Sequence, residues 1–395
     1  MTELTADSIL VRARALKLVC IGDIMLDRFV YGQIDRVSPE APVPILQEAR
    51  RSAMPGGAAN VARNLASLGV EVSLIGAVGN DAEGKEVTQL IGNIERISSS
   101  LVSLQDRPTT LKTRFVAGGQ QVIRVDVEET TKIDANAEAQ IVAALSEDAS
   151  SAHAIVLSDY AKGILTNNVI EAAVAAAQAH NIPIIVDPKG KDFQRYGPVD
   201  VIKPNANELS VAAELPVDTD ADVDVALSRA LELSEAKAII VTRAAIGMSY
   251  AKRGTPVEHV RGKARDVYDV SGAGDTSLAA LAVGIAVGAG LDASVKLAIA
   301  ASGIAVGKSG TAAVSAEEVQ ATLQAGHISG TISYTLLPDL VMQVAAWRDA
   351  GQIIGFTNGC FDLLHPGHLR VLEDCLLYTS PSPRDATLSR MPSSA

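Results

Sequence analysis

The stretch VARNLASLGVEVSLIGAVG, residues 61–79, indicates the fold class because two different patterns follow each other within it. Its first nine residues are typical of a helix that ends at Gly69, and VSLIGAVG at residues 72–79 is a continuous apolar strand. A strand without alternating polar residues is buried on both faces. A helix followed by such a strand is typical of a parallel sheet that is covered by helices.

Similar strand and helix patterns recur along most of the chain. Apolar runs rich in valine and isoleucine alternate with alanine-rich helical segments such as NNVIEAAVAAAQAHN at residues 167–181. The other apolar runs are LKLVCIGD (16–23), HAIVLSDY (153–160), IPIIVDPKG (182–190), DVIKPN (200–205) and AIIVTR (238–243). This alternation predicts an α/β fold in which helices cover both faces of a parallel sheet.

The carboxyl ends of these predicted strands carry polar or charged residues. They are Asp23, Asp159, Asp187, Asn205 and Arg243. Ligands of open parallel sheets bind at this edge, so the pattern favours a binding site there. Strand ends are generally more polar than strand middles. That general trend explains any one of these residues without a binding site.

Two stretches interrupt the alternation of buried strands and helices. Residues 29–50 are rich in proline, and residues 111–128 alternate in polarity around Gly118-Gly119 as a hairpin does. We expect a small separate β sheet that acts as a lid. An ordinary edge hairpin explains the pattern equally well.

Composition and charge restrict the class of protein. The chain has 395 residues, 48% of them hydrophobic, so we expect a globular chain of one large domain with an addition. Its formal net charge of −12 argues against sequence-independent binding to nucleic acid and to anionic membranes. A net charge does not exclude an anionic small substrate.

Cysteine usage and hydropathy predict a cytoplasmic protein. The three cysteines, Cys20, Cys360 and Cys375, form no CxxC pair, which favours a reducing compartment and no zinc site. The first residues lack the apolar segment of a signal peptide. The longest uncharged apolar stretch, residues 276–291, is shorter than the ~20 residues of a membrane span and predicts a buried helix.

The stretch VYDVSGAGDTSLAAL, residues 267–281, places small residues and a carboxylate at the start of that helix. Free amides after Gly272 and Ala273 would attract an anion. Asp275 would then accept the proton of an attacking hydroxyl group. The combination is typical of phosphoryl transfer to an alcohol, but by itself it does not outweigh the common alternative of a loop with an aspartate cap at a helix start.

A second glycine-rich stretch, PGGAANVARNLASLG at residues 55–69, also precedes a helix. Gly56 and Gly57 would let a ligand pack against the backbone, and the Asn60 amide can both donate to and accept from sugar hydroxyl groups. The structural alternative is a glycine turn with Asn60 in the first helical turn.

These two stretches, in this order, resemble the two signatures of the ribokinase-like (PfkB) carbohydrate kinases, over residues 16–310. The resemblance implies a Rossmann-like α/β kinase with a small β lid that uses ATP and Mg²⁺. It implies that Asp275 is the catalytic base and that residues 272–274 form the anion hole. It also implies that the family's N-x-x-E motif, which organises Mg²⁺ and phosphates, is NANE: Asn205, Ala206, Asn207 and Glu208, with Glu208 holding the metal largely through water.

Further stretches resemble the kinase half of the bifunctional heptose kinases of lipopolysaccharide core synthesis. They are GDIMLDRFVYG (22–32), RVSPEAPVPIL (36–46), LSDYAKG (157–163), DPKGKDFQRY (187–196) and VTRAAIGMS (241–249). The implied reaction phosphorylates D-glycero-β-D-manno-heptose 7-phosphate at the anomeric hydroxyl group. The last stretch implies nucleotide contacts at Thr242, Arg243 and Gly247.

The sugar phosphate requires hydroxyl-binding groups and cations. The resemblance assigns Asp27 and Asn60 to the sugar hydroxyl groups, and a 7-phosphate needs positive charge nearby. The candidate cations are Lys112, Arg114, Arg124, Lys162 and Lys189. For each of these residues, a solvated surface charge is the alternative.

The C-terminal residues resemble a different family. TNGCFDLLHPGH, residues 357–368, is similar to the opening motif of cytidylyltransferase-like nucleotidyltransferases, in which His365 and His368 would contact ATP phosphates. We expect a kinase domain at 1–314, a helix and linker at 315–350, a truncated nucleotidyltransferase fragment without activity at 351–375, and a disordered, non-native tail at 376–395.

The sequence leaves two other functions open. A PfkB kinase of another sugar or nucleoside would share the same fold, and a non-catalytic sugar or nucleotide binder would share the scaffold. The family resemblance further suggests a homodimer that forms through the small β sheets.

Overall fold

The computed structural model describes residues 6–262, 272–308 and 312–328, together with residue 348. Apart from residue 348, these residues lie in one compact unit, Met1–Ser329. The predicted fragment at 351–375, the predicted tail at 376–395, and both His365 and His368 lie outside the described residues. Among the helices of the described ranges, none is long and apolar enough to cross a bilayer.

The described residues form strands and helices in alternation. The strands are β1 (Lys17–Gly22), β2 (Ile24–Val37), β3 (Pro44–Gly57), β4 (Glu71–Gly79), β5 (Ile97–Leu104), β6 (Thr110–Ala117), β7 (Gln120–Val127), β8 (Ala154–Ser158), β9 (Ile184–Asp187), β10 (Val201–Ile202), β11 (Ala238–Thr242), β12 (Gly247–Lys252) and β13 (Glu258–Arg261). The helices are α1 (Ala6–Ala13), α2 (Ala58–Ser67), α3 (Ala82–Gly92), α4 (Ala135–Ala149), α5 (Asn167–His180), α6 (Ala206–Ala213), α7 (Asp220–Glu232), α8 (Ala273–Ala286), α9 (Leu291–Ala305) and α10 (Ala316–Ile328).

Nine strands form the main sheet in the order β13-β12-β11-β10-β9-β8-β1-β4-β5. The strands from β11 to β5 pair in parallel, which confirms the predicted α/β fold. β12 and β13 pair antiparallel at one edge, which the sequence pattern did not predict. Only residues 243–246 connect β11 to β12, and so short a connection permits a reversal but no crossover.

Hydrophobic clusters cover both faces of this sheet. One contains the buried side of α2 and most of α8, and the other contains the apolar residues of α4, α5 and α7. Helix α8 is buried at every position from Asp275 to Gly284, as expected for a helix packed within the core. A side chain at Gly284 would collide with Ser294, so this glycine permits α8 and α9 to pack closely.

A second sheet contains four strands in the order β3-β2-β6-β7. β2 and β3 form a long antiparallel hairpin that extends beyond the proline-rich stretch in both directions, and β6 pairs in parallel with β2. Gly118 and Gly119 join β6 to β7 with φ angles of 57° and 80°. Two consecutive positive φ angles are those of the tight turn that fits a twisted hairpin, and glycine adopts them without strain.

Candidate active site

The carboxyl ends of the central parallel strands meet the start of α8. Asp23 follows β1, Asp159 follows β8, Asp187 ends β9, and Lys203 follows β10. Asp275 lies in the first turn of α8, where Gly272 is the N-cap residue with a φ of 78°. This edge therefore brings several charged side chains together in a mostly buried environment.

Asp275 is held by a hydrogen bond at each carboxylate oxygen. The Tyr160 hydroxyl group donates to Oδ1 over 2.6 Å, and Nδ2 of Asn60 donates to Oδ2 over 2.6 Å. Asp275 is only 6% exposed. Burial raises its pKa above the ordinary value, and these two hydrogen bonds and Lys203 oppose that rise. The carboxylate is therefore fixed in orientation and favoured as a proton acceptor by burial.

The start of α8 leaves room beside the backbone of Gly274. A Cβ atom at Gly274 would have no atom within 4 Å, which indicates open space next to this backbone. The first amides of a helix lack intrahelical acceptors, and they carry the positive end of the helix dipole. Together, residues 272–274 can hold an anion while Asp275 accepts a proton.

Asn60 is oriented by its neighbours on α2. Its Oδ1 accepts from Nη2 of Arg63 over 2.8 Å, and its carbonyl oxygen accepts from Nδ2 of Asn64 over 2.9 Å. Thr276 of α8 donates in turn to Oδ1 of Asn64. Because Arg63 must face an acceptor, the amide nitrogen of Asn60 is the group that faces Asp275.

Gly56 and Gly57 lie at the end of β3, where the protein's own atoms approach them. A Cβ atom at Gly56 would overlap the carboxylate of Asp27, and one at Gly57 would overlap the carbonyl oxygen of Asp23. Gly57 also has a φ of 60°. Gly56 is therefore required by the neighbouring strand β2 of the same sheet, and Gly57 by the close approach of the backbone at Asp23.

Asp27 and the candidate cations of the second sheet form ion pairs. Nη1 of Arg114 donates to Oδ1 of Asp27 over 2.5 Å, and both side chains are largely buried. Lys112 and Lys162 both pair with Glu128, over 3.1 and 2.8 Å. These three cations have side-chain exposures of only 13–15%.

The other two candidate cations are more exposed. Arg124 pairs with Asp126 over 2.9 Å and has a side-chain exposure of 49%. Lys189 pairs with Glu208 over 2.8 Å and has an exposure of 48%. The side chains of Arg124 and Lys189 are thus more exposed than those of Lys112, Arg114 and Lys162. Their exposure fits the alternative of a solvated surface charge better.

Asn205 and Glu208 form a capping box at the start of α6. Oδ1 of Asn205 accepts from the Glu208 amide, and Oε2 of Glu208 accepts from the Asn205 amide. Ala206 and Asn207 lie between them in the first turn. In the described parts of the chain, no three His, Cys, Asp or Glu side chains cluster as a metal cage. The single carboxylate of Glu208 fits Mg²⁺ that keeps most of its water and is shared with phosphates.

Thr242, Arg243 and Gly247 lie where β11 ends and β12 begins. Thr242 forms a parallel bridge with Asn205, so this strand end adjoins the capping box. Arg243 is 5% exposed, and its Nη1 donates to Oδ1 of Asp220 over 2.6 Å. The structure therefore places these residues beside the NANE stretch.

Lys203 also lies at this edge, although no sequence motif predicts it, and it pairs with Asp187, one of the predicted polar strand ends. Lys203 is 2% exposed and lies 3.2 Å from Oδ1 of Asp187. Burial raises the pKa of Asp187 to about 7 against the attraction of Lys203, while Asp275 and Glu208 raise it further. The signal that could have revealed Lys203 is a lysine directly after the apolar run of a buried strand.

Tyr160 and Asp23 also lie at this site, and no sequence motif predicts their contacts. Asp23 accepts from the backbone amides of Tyr160, Lys162 and Ile164, and it is 1% exposed. Asp159 accepts from the amide of Ala161, whose φ is 54°. These bonds fix the loop after β8 and thereby place the Tyr160 hydroxyl group against Asp275. The sequence predicts Asp23 as a polar strand end at this edge, but it gives no partner for it.

Known proteins match both the sequence and the fold. The model of the pfkB family of carbohydrate kinases matches residues 15–318. The chain is 55% identical to the bifunctional protein HldE of Hyphomonas neptunium over 92% of this chain and 74% of the relative, and 45% identical to that of Gluconacetobacter diazotrophicus over 91% and 75%.

Solved structures agree in fold. Arabidopsis thaliana ribokinase, solved with ribose and ATP, matches with a TM-score of 0.61 at 21% identity, over 78% of this chain and 98% of the ribokinase. Escherichia coli phosphofructokinase-2, solved with potassium, matches with a TM-score of 0.66 at 23% identity, over 78% and 98%. The fold is therefore ribokinase-like. Because the family model covers most of the chain, this protein belongs to the pfkB family of carbohydrate kinases.

Proposed function

We propose that this carbohydrate kinase transfers the γ-phosphoryl group of ATP to O1 of D-glycero-β-D-manno-heptose 7-phosphate, giving heptose 1,7-bisphosphate for ADP-heptose synthesis. The observation that carries phosphoryl transfer is the buried Asp275 carboxylate at the start of α8, held at both oxygens. The heptose is supported by the five stretches that resemble heptose kinases and by the 55% identity to a bifunctional HldE protein.

The proposed reaction uses Asp275 as the general base. The anomeric hydroxyl group transfers its proton to this carboxylate while its oxygen forms a bond to the γ-phosphorus. The bond from that phosphorus to the β,γ-bridging oxygen breaks, and ADP leaves with the electron pair. The amides of residues 272–274 stabilise the charge on the transferring group.

ATP and Mg²⁺ are the cofactors of the reaction. When bound, the metal ion neutralises charge between the β- and γ-phosphates. Glu208 would hold it through water, and Asn205 would keep that carboxylate in place through the capping box. We also infer that Thr242, Arg243 and Gly247 line the nucleotide side, because Thr242 bridges to Asn205.

We infer that the sugar phosphate binds beneath the second sheet, which acts as a lid. Of the five candidate cations, Arg114, Lys112 and Lys162 have the side chains most shielded from solvent. Each already pairs with a carboxylate, so a phosphate dianion would compete with Asp27 or Glu128 for them. Arg124 and Lys189 remain further candidates for this role.

We also propose a homodimer that forms through the second sheets of two copies. β7 is an edge strand, and all eight of its residues are exposed. Ile123, Val125 and Val127 share one face of it and are 45–55% exposed. An exposed apolar edge strand is suited to pairing with another strand, and a second copy of the same chain offers an identical edge.

A survey of acceptors tests the proposed function. The purified chain with Mg²⁺ and ATP is assayed for ADP release with the heptose 7-phosphate and, in parallel, with ribose, fructose 6-phosphate and adenosine. Release only with the heptose phosphate supports the proposal. Release of ADP only with another acceptor would support phosphoryl transfer but contradict the heptose as substrate. No release of ADP from folded protein would favour a non-catalytic sugar or nucleotide binder.

A further inference from the structure

We propose that Tyr160 is a positioning residue of the phosphoryl-transfer reaction: its hydroxyl group holds the Asp275 carboxylate in the orientation that receives the acceptor's proton. This inference rests on the proposed role of Asp275 as the general base. Tyr160 belongs to neither glycine-rich stretch, so it adds a third segment of the chain to the reaction centre.

The geometry leaves Asp275 only one orientation. Tyr160 occupies one lone pair of Oδ1 and Asn60 occupies one lone pair of Oδ2, each over 2.6 Å. A carboxylate bound at both oxygens cannot rotate about its terminal torsion without breaking a hydrogen bond. Each oxygen has two lone pairs, so a free one remains for the acceptor hydroxyl group. Fixing a reacting group in this way accelerates a reaction through orientation.

The support for Tyr160 comes from the loop that carries it. Three backbone amides of this loop donate to the buried Asp23, the first of them from Tyr160 itself over 2.8 Å. The next residue, Ala161, has a φ of 54° and donates to Asp159. The backbone of Tyr160 is therefore held independently of Asp275, and its hydroxyl group acts as an anchor.

The same hydrogen bond favours the ionised carboxylate. Burial raises the pKa of Asp275, and the hydrogen bond from Tyr160 lowers it. Burial also raises the pKa of Tyr160, so this group remains a donor. The titratable or charged groups that act on Asp275 are Tyr160, Lys203, Asp27, Cys20, Arg63 and Asp187. Of these, Tyr160 is the one that donates directly to the carboxylate.

The test compares Tyr160→Phe with the wild-type chain. The control is Tyr250→Phe, which removes the hydroxyl group of another buried tyrosine, on β12. The assay is ADP release with the acceptor that gives turnover, over a range of pH. Loss of a hydrogen bond to a charged group predicts a kcat roughly tenfold to a hundredfold lower near neutral pH. The KM for ATP stays within about twofold, since Tyr160 acts only through Asp275.

The pH profile separates positioning from a structural defect. Without the donor the Asp275 pKa rises, so the acid limb of kcat/KM moves to higher pH. A wild-type profile, or an equal loss at every pH, would overturn the role of Tyr160. Asp275→Asn is measured alongside: if that variant remains active, the general-base assignment fails instead.

A second measurement does not depend on turnover. In protein with ¹³C-labelled aspartate carboxyl groups, the resonance that is missing in Asp275→Asn reports on Asp275. We expect it to titrate at higher pH in Tyr160→Phe than in the wild-type chain and in Tyr250→Phe. An unmoved titration would show that the hydrogen bond does not act on the base.

Discussion

Nδ2 of Asn60 lies 2.6 Å from Oδ2 of Asp275, although 215 residues separate them along the chain. The contact joins the first turn of α2 to the first turn of α8, two helices of the same core cluster. Two glycine-rich stretches that the sequence presents separately are therefore parts of one site.

Removal of the proposed base is expected to lower kcat by orders of magnitude and to preserve nucleotide binding. Asp275→Asn keeps the size of the side chain but cannot accept a proton, and we expect kcat to fall roughly 10²- to 10⁴-fold. ATP binding, measured by calorimetry, remains close to wild type. Asp292→Asn, which removes an exposed carboxylate of α9, is the matched control. A kcat near the wild-type value in Asp275→Asn would exclude this residue as the base.

Charge removal at the five candidate cations locates the sugar phosphate. Single Lys→Met or Arg→Gln substitutions are made at Lys112, Arg114, Arg124, Lys162 and Lys189. A hydrogen bond between a cation and phosphate predicts a rise of about tenfold or more in the sugar-phosphate KM for at least one of them. We expect the larger effects at the shielded Lys112, Arg114 and Lys162. If no variant changes this KM, none of the five binds the phosphate.

The cation series needs a check of folding at Arg114. Its partner Asp27 has a side-chain exposure of only 6%, so Arg114→Gln leaves a buried carboxylate without its counter-ion. The loss of such a partner costs about 3–5 kcal/mol of stability. Urea unfolding of each variant therefore accompanies the kinetics, and an Arg114 effect counts only if the variant is folded in the assay.

Stability is expected to fall as pH rises through the window set by Asp187. The pKa of the Asp187 carboxyl group is about 7 in the folded chain, against an ordinary value of 3.8. Between pH 3.8 and pH 7, the folded state therefore holds the carboxyl proton more tightly than the unfolded state does. The folded state then binds more protons than the unfolded state, and the free energy of unfolding declines with rising pH. Urea unfolding from pH 4.5 to 7.5 should show a smaller slope in Asp187→Asn.

Two features make this measurement specific. Asp187→Asn also leaves Lys203 without its partner, so the readout is the slope with pH and not the absolute stability. Asp222→Asn is the control, because hydrogen bonds from Thr219 lower the Asp222 pKa and its contribution changes only below this window. Equal slopes in all three proteins would contradict the raised pKa of Asp187.

The edge strand β7 provides a test of the proposed dimer. Ile123→Lys with Val125→Lys places two charges on its exposed apolar face. We expect light scattering to give half the wild-type mass. Val225→Lys, at an exposed position of α7, is the control and should leave the mass unchanged. A monomeric wild-type chain, or a dimer that survives both substitutions, would argue against this interface.

The sequence was sufficient for features that depend on local patterns. The continuous apolar run at residues 72–79 became β4, and the helical pattern at 167–181 became α5 with Thr166 as its cap. The spacing of Asn205 and Glu208 is itself the signature of a capping box. Such features follow from residues within a few positions of each other.

The partners of Asp275 depend instead on the topology of the sheet. β1 lies between β8 and β4, which brings Tyr160 after β8 close to Asn60 of α2. A tyrosine after a strand is ordinary in sequence, and only its 2.6 Å contact reveals it. The partner of Lys203 is likewise not apparent from the sequence. A lysine at the end of a strand gives no indication of which side chains the neighbouring strands place beside it.

The bond between Asn60 and Asp275 also ties the proposed base to the packing of the core. Asn60 belongs to α2 and Asp275 to α8, so separation of these helices breaks the bond between them. A partly opened molecule therefore loses one of the two hydrogen bonds that fix the carboxylate. The long-range contact thus links the integrity of the core to the orientation of the proposed base.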